Sequence, residues 1–253
     1  MKLPRSLRTG FLVDDDTEIT LVKRAASVAL LALLTLFVSM SVAVAQDSPG
    51  SDLGRACPGA AAWNAAHADQ LPEAMKARDA ARALGNPGLR HELEERVTVD
   101  QAAREALLTG RGRSGEVGRI DADNDEWLVG ILKKDGFPKA DQVGEYGLHL
   151  MWLLVQHADT MPKLQSLALG EFLKRFNDGE FSGDDLARLS DRVLLHQGKP
   201  QRFGTQFDWT ADKFHPKPME EPDEVAAHRR QIGLMPLDDY ACMKTEELKL
   251  LRR

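Results

Sequence analysis

The chain has 253 residues, a net charge of −6 and 43% hydrophobic residues. An acidic chain lacks the basic face that contact with phosphate backbones demands, so nucleic acid is excluded as a partner. Aromatics make up only 6% of the chain, while Ala and Leu are abundant, which points to helices rather than sheet.

The first 45 residues read as an export signal. Ala25 to Ala45 carries no charge, Val28 to Val38 is its most apolar part, and Lys23-Arg24 stand just before it. Ala43-Val44-Ala45 places small residues at positions −3 and −1 of a cut before Gln46. Basic flank, short apolar core and A-x-A ending are the parts of a secretory signal peptide. The alternative is an uncleaved inner-membrane anchor, because about 20 apolar residues suffice to span a bilayer. The membrane is then a partner only through residues 25–45. Asp14, Asp15, Asp16 and Glu18 are foreign to a basic n-region and point to a true start near Leu21 or Val22. The segment carries five Lys/Arg and four Asp/Glu, so the remaining 208 residues have a net charge of −7. They suffice for one well-cored domain. The expected location is periplasmic or secreted.

Cys57 and Cys242 are the only cysteines, one near each end of the mature chain. An even count in an oxidising compartment predicts a disulfide between them. Residues 46–60 read as a flexible leader, and 61–253 as a single helical domain. Trp63 to Leu84 reads as helix, broken at Pro72. Gly85-Asn86-Pro87-Gly88 is a breaker. Leu89 to Leu108 is a long helix, with Leu89, Leu93 and Val97 on its apolar side. Gly110 to Gly118 reads as a loop without the strand-before, helix-after context of a phosphate-binding motif. Asp121 to Lys134 is a further helix.

Gln142 to His157 is apolar nearly all round and is expected to be the central, buried helix. Pro162 to Phe176 and Gly183 to Leu195 follow, the second capped by Ser182. Gln206 to Met219 suggests a short hairpin. Pro222 to Ile232 and a tail beginning at Pro236 are the last helices. The fold class expected is all-α with at most one short β-hairpin.

Four polar groups carry the candidate chemistry. His149, Gln156, His157 and Asp159 surround the end of the central helix. His157 either satisfies that helix end, where the dipole favours imidazolium, or acts as a general base oriented by Asp159. Asp191 and Arg192 point about 100° apart on their helix and reach different partners. Asp100 and Arg104, beside Gln101, are four apart and read as a solvated pair. His196, Gln201, Thr205 and Gln206 supply imidazole, amides and a hydroxyl suited to polar ligands or buried backbone.

The motifs DQAAR (100–104), GFP (136–138), VQHAD (155–159), DRV (191–193), GKPQRFGTQ (198–206) and RRQIGLMPLDDY (229–240) resemble a bacterial family of unknown function. That family is small, helical and often exported, and is marked by QHAD and a G-x-x-Q-x-Y-G-T-Q run. The resemblance covers roughly Leu89 to Tyr240. It implies that these polar positions belong together and supplies no activity. Phe203 stands where the family usually has Tyr, so any chemistry of that phenol is absent here.

Two readings follow. In the first, a helical module holds a small polar ligand through Arg192, Gln201, Thr205, Gln206, Gln156, Gln101 and Arg104. In the second, a metal- or water-dependent hydrolase uses His157 as base, Asp159 or Asp191 to orient it and Arg192 to bind an anion, with the backbone of the GTQ run holding an oxyanion. No serine or cysteine nucleophile lies in the motifs, no zinc signature is present, and no cofactor is assigned. His157, Asp191, Arg192, Gln201 and Gln206 are expected to converge in space.

Overall fold

The computed structural model describes residues 49–210 and 213–251, so the expected export segment lies outside the described residues. Ten α-helices occur among them. They are α1 (Pro49–Ala56), α2 (Pro58–Ala66), α3 (Pro72–Asp79), α4 (Pro87–Leu108), α5 (Ser114–Asp135), α6 (Ala140–His157), α7 (Pro162–Phe176), α8 (Gly183–His196), α9 (Pro222–Gln231) and α10 (Leu237–Leu251). One antiparallel hairpin joins β1 (Phe207–Thr210) to β2 (Lys213–Pro216), with Phe207 opposite Pro216. The fold is mainly all-α, as the composition implies.

Local chemistry sets many of the boundaries. Proline opens α2, α3, α4, α7 and α9, where its missing N–H has no intrahelical partner to lose. Ser182 Oγ accepts the Asp185 N–H at 3.0 Å and caps α8.

Helix α6 is central and packs against α3, α4, α5, α7 and α8. Val143, Leu148, Leu150, Met151, Leu154 and Val155 on it are buried, whereas Leu153 is only partly so. The expected uninterrupted helix from Gln142 is regular only after Gly144, whose φ of +78° breaks it. Asp79 accepts the N–H groups of Glu145 and Tyr146, both at 2.9 Å, and so caps the regular part. A Cβ at residue 144 would stand 2.2 Å from the Asp79 carboxylate. Arg90 answers that buried charge at 2.7 Å.

Two stretches differ from expectation. The Gly110–Gly118 loop becomes helix at Ser114, because Val117, Leu128 and Val129 form a buried face and α5 packs against α4. That packing outweighs the cost of Gly115 and Gly118, about 1 kcal/mol each. The expected flexible leader is helical from Pro49. Cys57 and Ala60 are buried with Met235, Tyr240 and Met243 in a second small core. A Cys57–Cys242 disulfide, Cα atoms 5.9 Å apart, ties this layer to α10. The leader thereby acquires a packing partner, which its composition does not reveal. Among the described residues no helix is long and apolar enough to cross a membrane.

Candidate functional site

Asp191 lies on α8 beside Val193 and Leu194 and is fully buried. One carboxylate oxygen accepts the N–H groups of Arg202 and Phe203 at 2.7 and 2.9 Å. The other accepts the N–H and the hydroxyl of Thr205 at 2.9 and 2.8 Å. Burial pushes this carboxyl up to about 6, against the lowering by those four donors. The loop folds round it through Gly204, at φ +66°, where a Cβ would stand 2.9 Å from Leu237. Gln201, also fully buried, closes the corner. Its Nε2 donates to the carbonyls of Gln206 and Lys217 at 3.0 and 2.9 Å, and its Oε1 accepts the Gln206 N–H at 2.9 Å.

This corner holds up one wall of a cleft of about 270 Å³. Helical spacing presents the other walls. Trp152, Leu153, Gln156 and His157 come from the end of α6, Arg188 and Arg192 from one face of α8, and Tyr240 and Lys244 from one face of α10. Thr205, Gln206 and Phe207 complete it. Arg192 Nη1 donates to the Gln156 carbonyl and to Asp159, at 2.7 and 2.8 Å, and Nη2 donates to Gln206 Oε1 at 3.2 Å. Arg192 and Gln165 thus satisfy carbonyls at the end of α6, the role open to His157 in the sequence. Gln156 is 5% exposed, and its side-chain Oε1 has no hydrogen-bond partner among the described residues.

The histidine pairing expected from sequence is wrong in its partner. His157 Nδ1 meets Asp100 at 2.8 Å, across 57 positions, while Asp159 faces Arg192 and Asp191 faces the loop. Asp100 is 1% exposed rather than solvated. It also accepts from Gln101 Nε2 at 2.7 Å and from Arg104 Nε at 3.1 Å, and Arg104 bonds Asp121 as well. Burial pushes the Asp100 carboxyl up. The His157 hydrogen bond and charge, with Arg104 and Gln101, outweigh burial and hold it below the ordinary value.

Two further corrections concern roles. Asp191 and Gln201 lie behind the cleft wall, so they support the site and do not line it. The N–H groups of Thr205 and Gln206 are both occupied, by Asp191 and Gln201, and cannot hold an oxyanion. His196 lies on the outer side, 4.0 Å from Asp159.

Sequence reading missed Trp152, Arg188, Tyr240 and Lys244. Asp100 had a signal: Leu89, Leu93, Val97 and Asp100 follow one helical repeat, which puts the carboxylate on the core face. Arg188 and Lys244 carry ordinary surface pairs, with Asp184 at 2.8 Å and Glu247 at 2.6 Å, and nothing local distinguishes them.

An adjoining cleft of about 370 Å³ shares Trp152, Leu153, Arg188, Tyr240 and Lys244 and extends over Trp63, His67 and His149. In it, His149 pairs with Asp185 at 3.1 Å. Burial lowers the His149 imidazole, but the charge and hydrogen bond of Asp185 raise it above its ordinary value. Among the described residues, no group of three or more His, Cys, Asp or Glu is arranged to hold a metal ion.

A family model described as "Family of unknown function (DUF6624)" matches residues 87–251. The match takes in more than half of the chain, and the protein belongs to that family. Every residue of the Asp191 corner, the cleft it supports and the Asp100 pair falls inside the matched stretch, while Cys57 precedes it. No curated protein and no solved structure matches the chain.

Proposed function

We propose, with membership of this family as the premise, that the protein is an exported helical module whose cleft between α6, α8 and α10 binds a small polar ligand. The observation that carries this reading is Gln156. Its amide lines the cleft, is nearly buried, and has an oxygen without a partner. An unsatisfied buried acceptor costs about 1–3 kcal/mol, a cost that a hydrogen-bond donor on a bound ligand removes. The cleft, at about 270 Å³, falls just below the roughly 300–1,000 Å³ of pockets for drug-sized ligands, which suits a smaller molecule.

Export rests on the Lys23–Ala45 pattern, and the disulfide supports it. Expression from the native start followed by fractionation should give a mature protein beginning at Gln46 outside the cytoplasm. A full-length chain held in the membrane would favour the anchor instead.

Thermal-shift screening of the oxidised protein against small polar metabolites tests the cleft. A ligand at 100 times its Kd stabilises by about 2.7 kcal/mol. That is roughly 5–10 °C in Tm for a chain of this size. The shift should disappear in Gln156→Leu and Arg192→Gln. Equal shifts in both variants would place the ligand elsewhere.

A second reading is favoured by the Asp100–His157 pair. An ionised carboxylate only accepts, so His157 Nδ1 carries the proton and a neutral ring has its lone pair on Nε2. His157 lines the cleft, and such a ring can activate water as a general base. Asp100→Asn would then abolish turnover of a bound ester or amide while leaving ligand binding within a few-fold. Hydrolysis at an unchanged rate in Asp100→Asn would remove this reading.

A further inference from the structure

We infer that the ligand is a small oxyanion, a molecule bearing phosphate or carboxylate, received by Arg188, Arg192 and Lys244. This inference rests on the reading of the cleft as a ligand site and specifies its chemistry.

The three cations converge on one cleft, and His157 adds an imidazole, yet no Asp or Glu lines it. Each cation is instead held from outside by one carboxylate. Asp184 meets Arg188 Nε at 2.8 Å, Asp159 meets Arg192 at 2.8 Å, and Glu247 meets Lys244 at 2.6 Å. This arrangement fixes the side chains without occupying all their donors. Arginine offers five N–H groups in a fork that matches a carboxylate or phosphate. Arg188 makes its ion pair with Asp184 through Nε, at 2.8 Å. Arg188 and Lys244 both approach the Tyr240 ring, each at 5.8 Å from its centroid. Arg229 stands at the same ring, at 5.0 Å, and a further anion relieves the repulsion among these like charges. In keeping with this, burial and the Arg188 charge lower the Lys244 ammonium, although Glu247 opposes them.

The adjoining cleft is mixed in charge, with Asp184, Asp185 and Glu247 in its walls beside Arg188, Arg229 and Lys244. The oxyanion end of the ligand belongs among Arg188, Arg192 and Lys244, and a hydrogen-bond donor elsewhere on the ligand answers the Gln156 oxygen, which can only accept. A cation would meet like charge on entering this cleft, whereas an anion meets three opposite charges.

Isothermal titration of the oxidised protein with sodium phosphate and with sodium acetate, at an ionic strength fixed by sodium chloride, tests the inference. The two arms separate a phosphate group from a carboxylate. At least one should bind saturably with a Kd of about 1 mM or tighter. Lys244→Gln and Arg188→Gln should each weaken it at least tenfold. Lys244 lies at the rim, its side chain 23% exposed, so its variant keeps the test open if Arg188→Gln fails to fold. Failure of both anions to bind more tightly than about 1 mM would overturn the inference. Unchanged affinity in Lys244→Gln would overturn it equally. If a neutral metabolite binds in a Gln156-dependent way while neither anion does, the cleft reading survives and the oxyanion falls. If the metabolite screen also yields nothing, both fall.

Discussion

Replacing Asp191 by Asn separates support from site. The native carboxylate is fully buried and accepts four hydrogen bonds from the 202–205 loop. In Asp191→Asn the amide oxygen can keep the Arg202 and Phe203 N–H groups, but its NH₂ then faces the Thr205 N–H, donor against donor. The Thr205 hydroxyl can rotate and accept instead. One orphaned buried N–H costs about 1–3 kcal/mol, and two charge-assisted bonds made neutral lose about 1 kcal/mol each. The amide also escapes the burial penalty that pushes the carboxyl up to about 6, which offsets part of these losses, so the expected net loss at pH 7 is roughly 1–3 kcal/mol. Urea unfolding of the oxidised protein should show a lower midpoint with an unchanged slope. Because Asp191 holds the loop that carries Thr205 and Gln206 into the cleft, ligand affinity should fall together with stability. A loss below about 0.5 kcal/mol, the size of an ordinary surface substitution, would refute this reasoning.

Leu154→Ala should cost about 2–5 kcal/mol by unfolding titration, since Leu154 is 1% exposed, and Leu153→Ala clearly less, since Leu153 borders the cleft. Reducing the Cys57–Cys242 bridge, 185 positions apart, should destabilise by up to about 5 kcal/mol in the chain-entropy model, read as a lower Tm under reductant. His149 is raised in the folded state above its ordinary 6.5 by Asp185. Its stabilisation is complete below that ordinary value and is lost as pH rises through the folded one, so denaturation midpoints should fall over that window. Against that background, His149→Gln should show a shallower fall than the parent, and identical pH profiles would exclude the pair as a source of stability.

Much of the fold was legible because its signals are local. Pro162, Pro222 and Ser182 mark helix starts through backbone chemistry alone, and the structure places α7, α9 and α8 there. The apolar run ending at His157 could only be central. What was illegible was tertiary. Ser114–Gly118 looks like a glycine loop until α4 offers it a face. Pro49–Ala56 looks like a leader until α10 and the disulfide hold it. At the site, Asp191, Arg192, Gln201 and Gln206 were found as a group, but sequence proximity paired His157 with Asp159. The true partner, Asp100, lies on another helix. Lys244 and Arg188 pass for surface charges because only the cleft lined by both α8 and α10 brings them together.

The most direct measurement is a crystal structure of the oxidised protein with the tightest small polar metabolite from the thermal-shift screen. The account predicts that compound between Gln156, Arg188, Arg192 and Lys244, with a polar atom on the Gln156 amide. Its binding at any other surface, with Gln156 still unpartnered, would contradict the account.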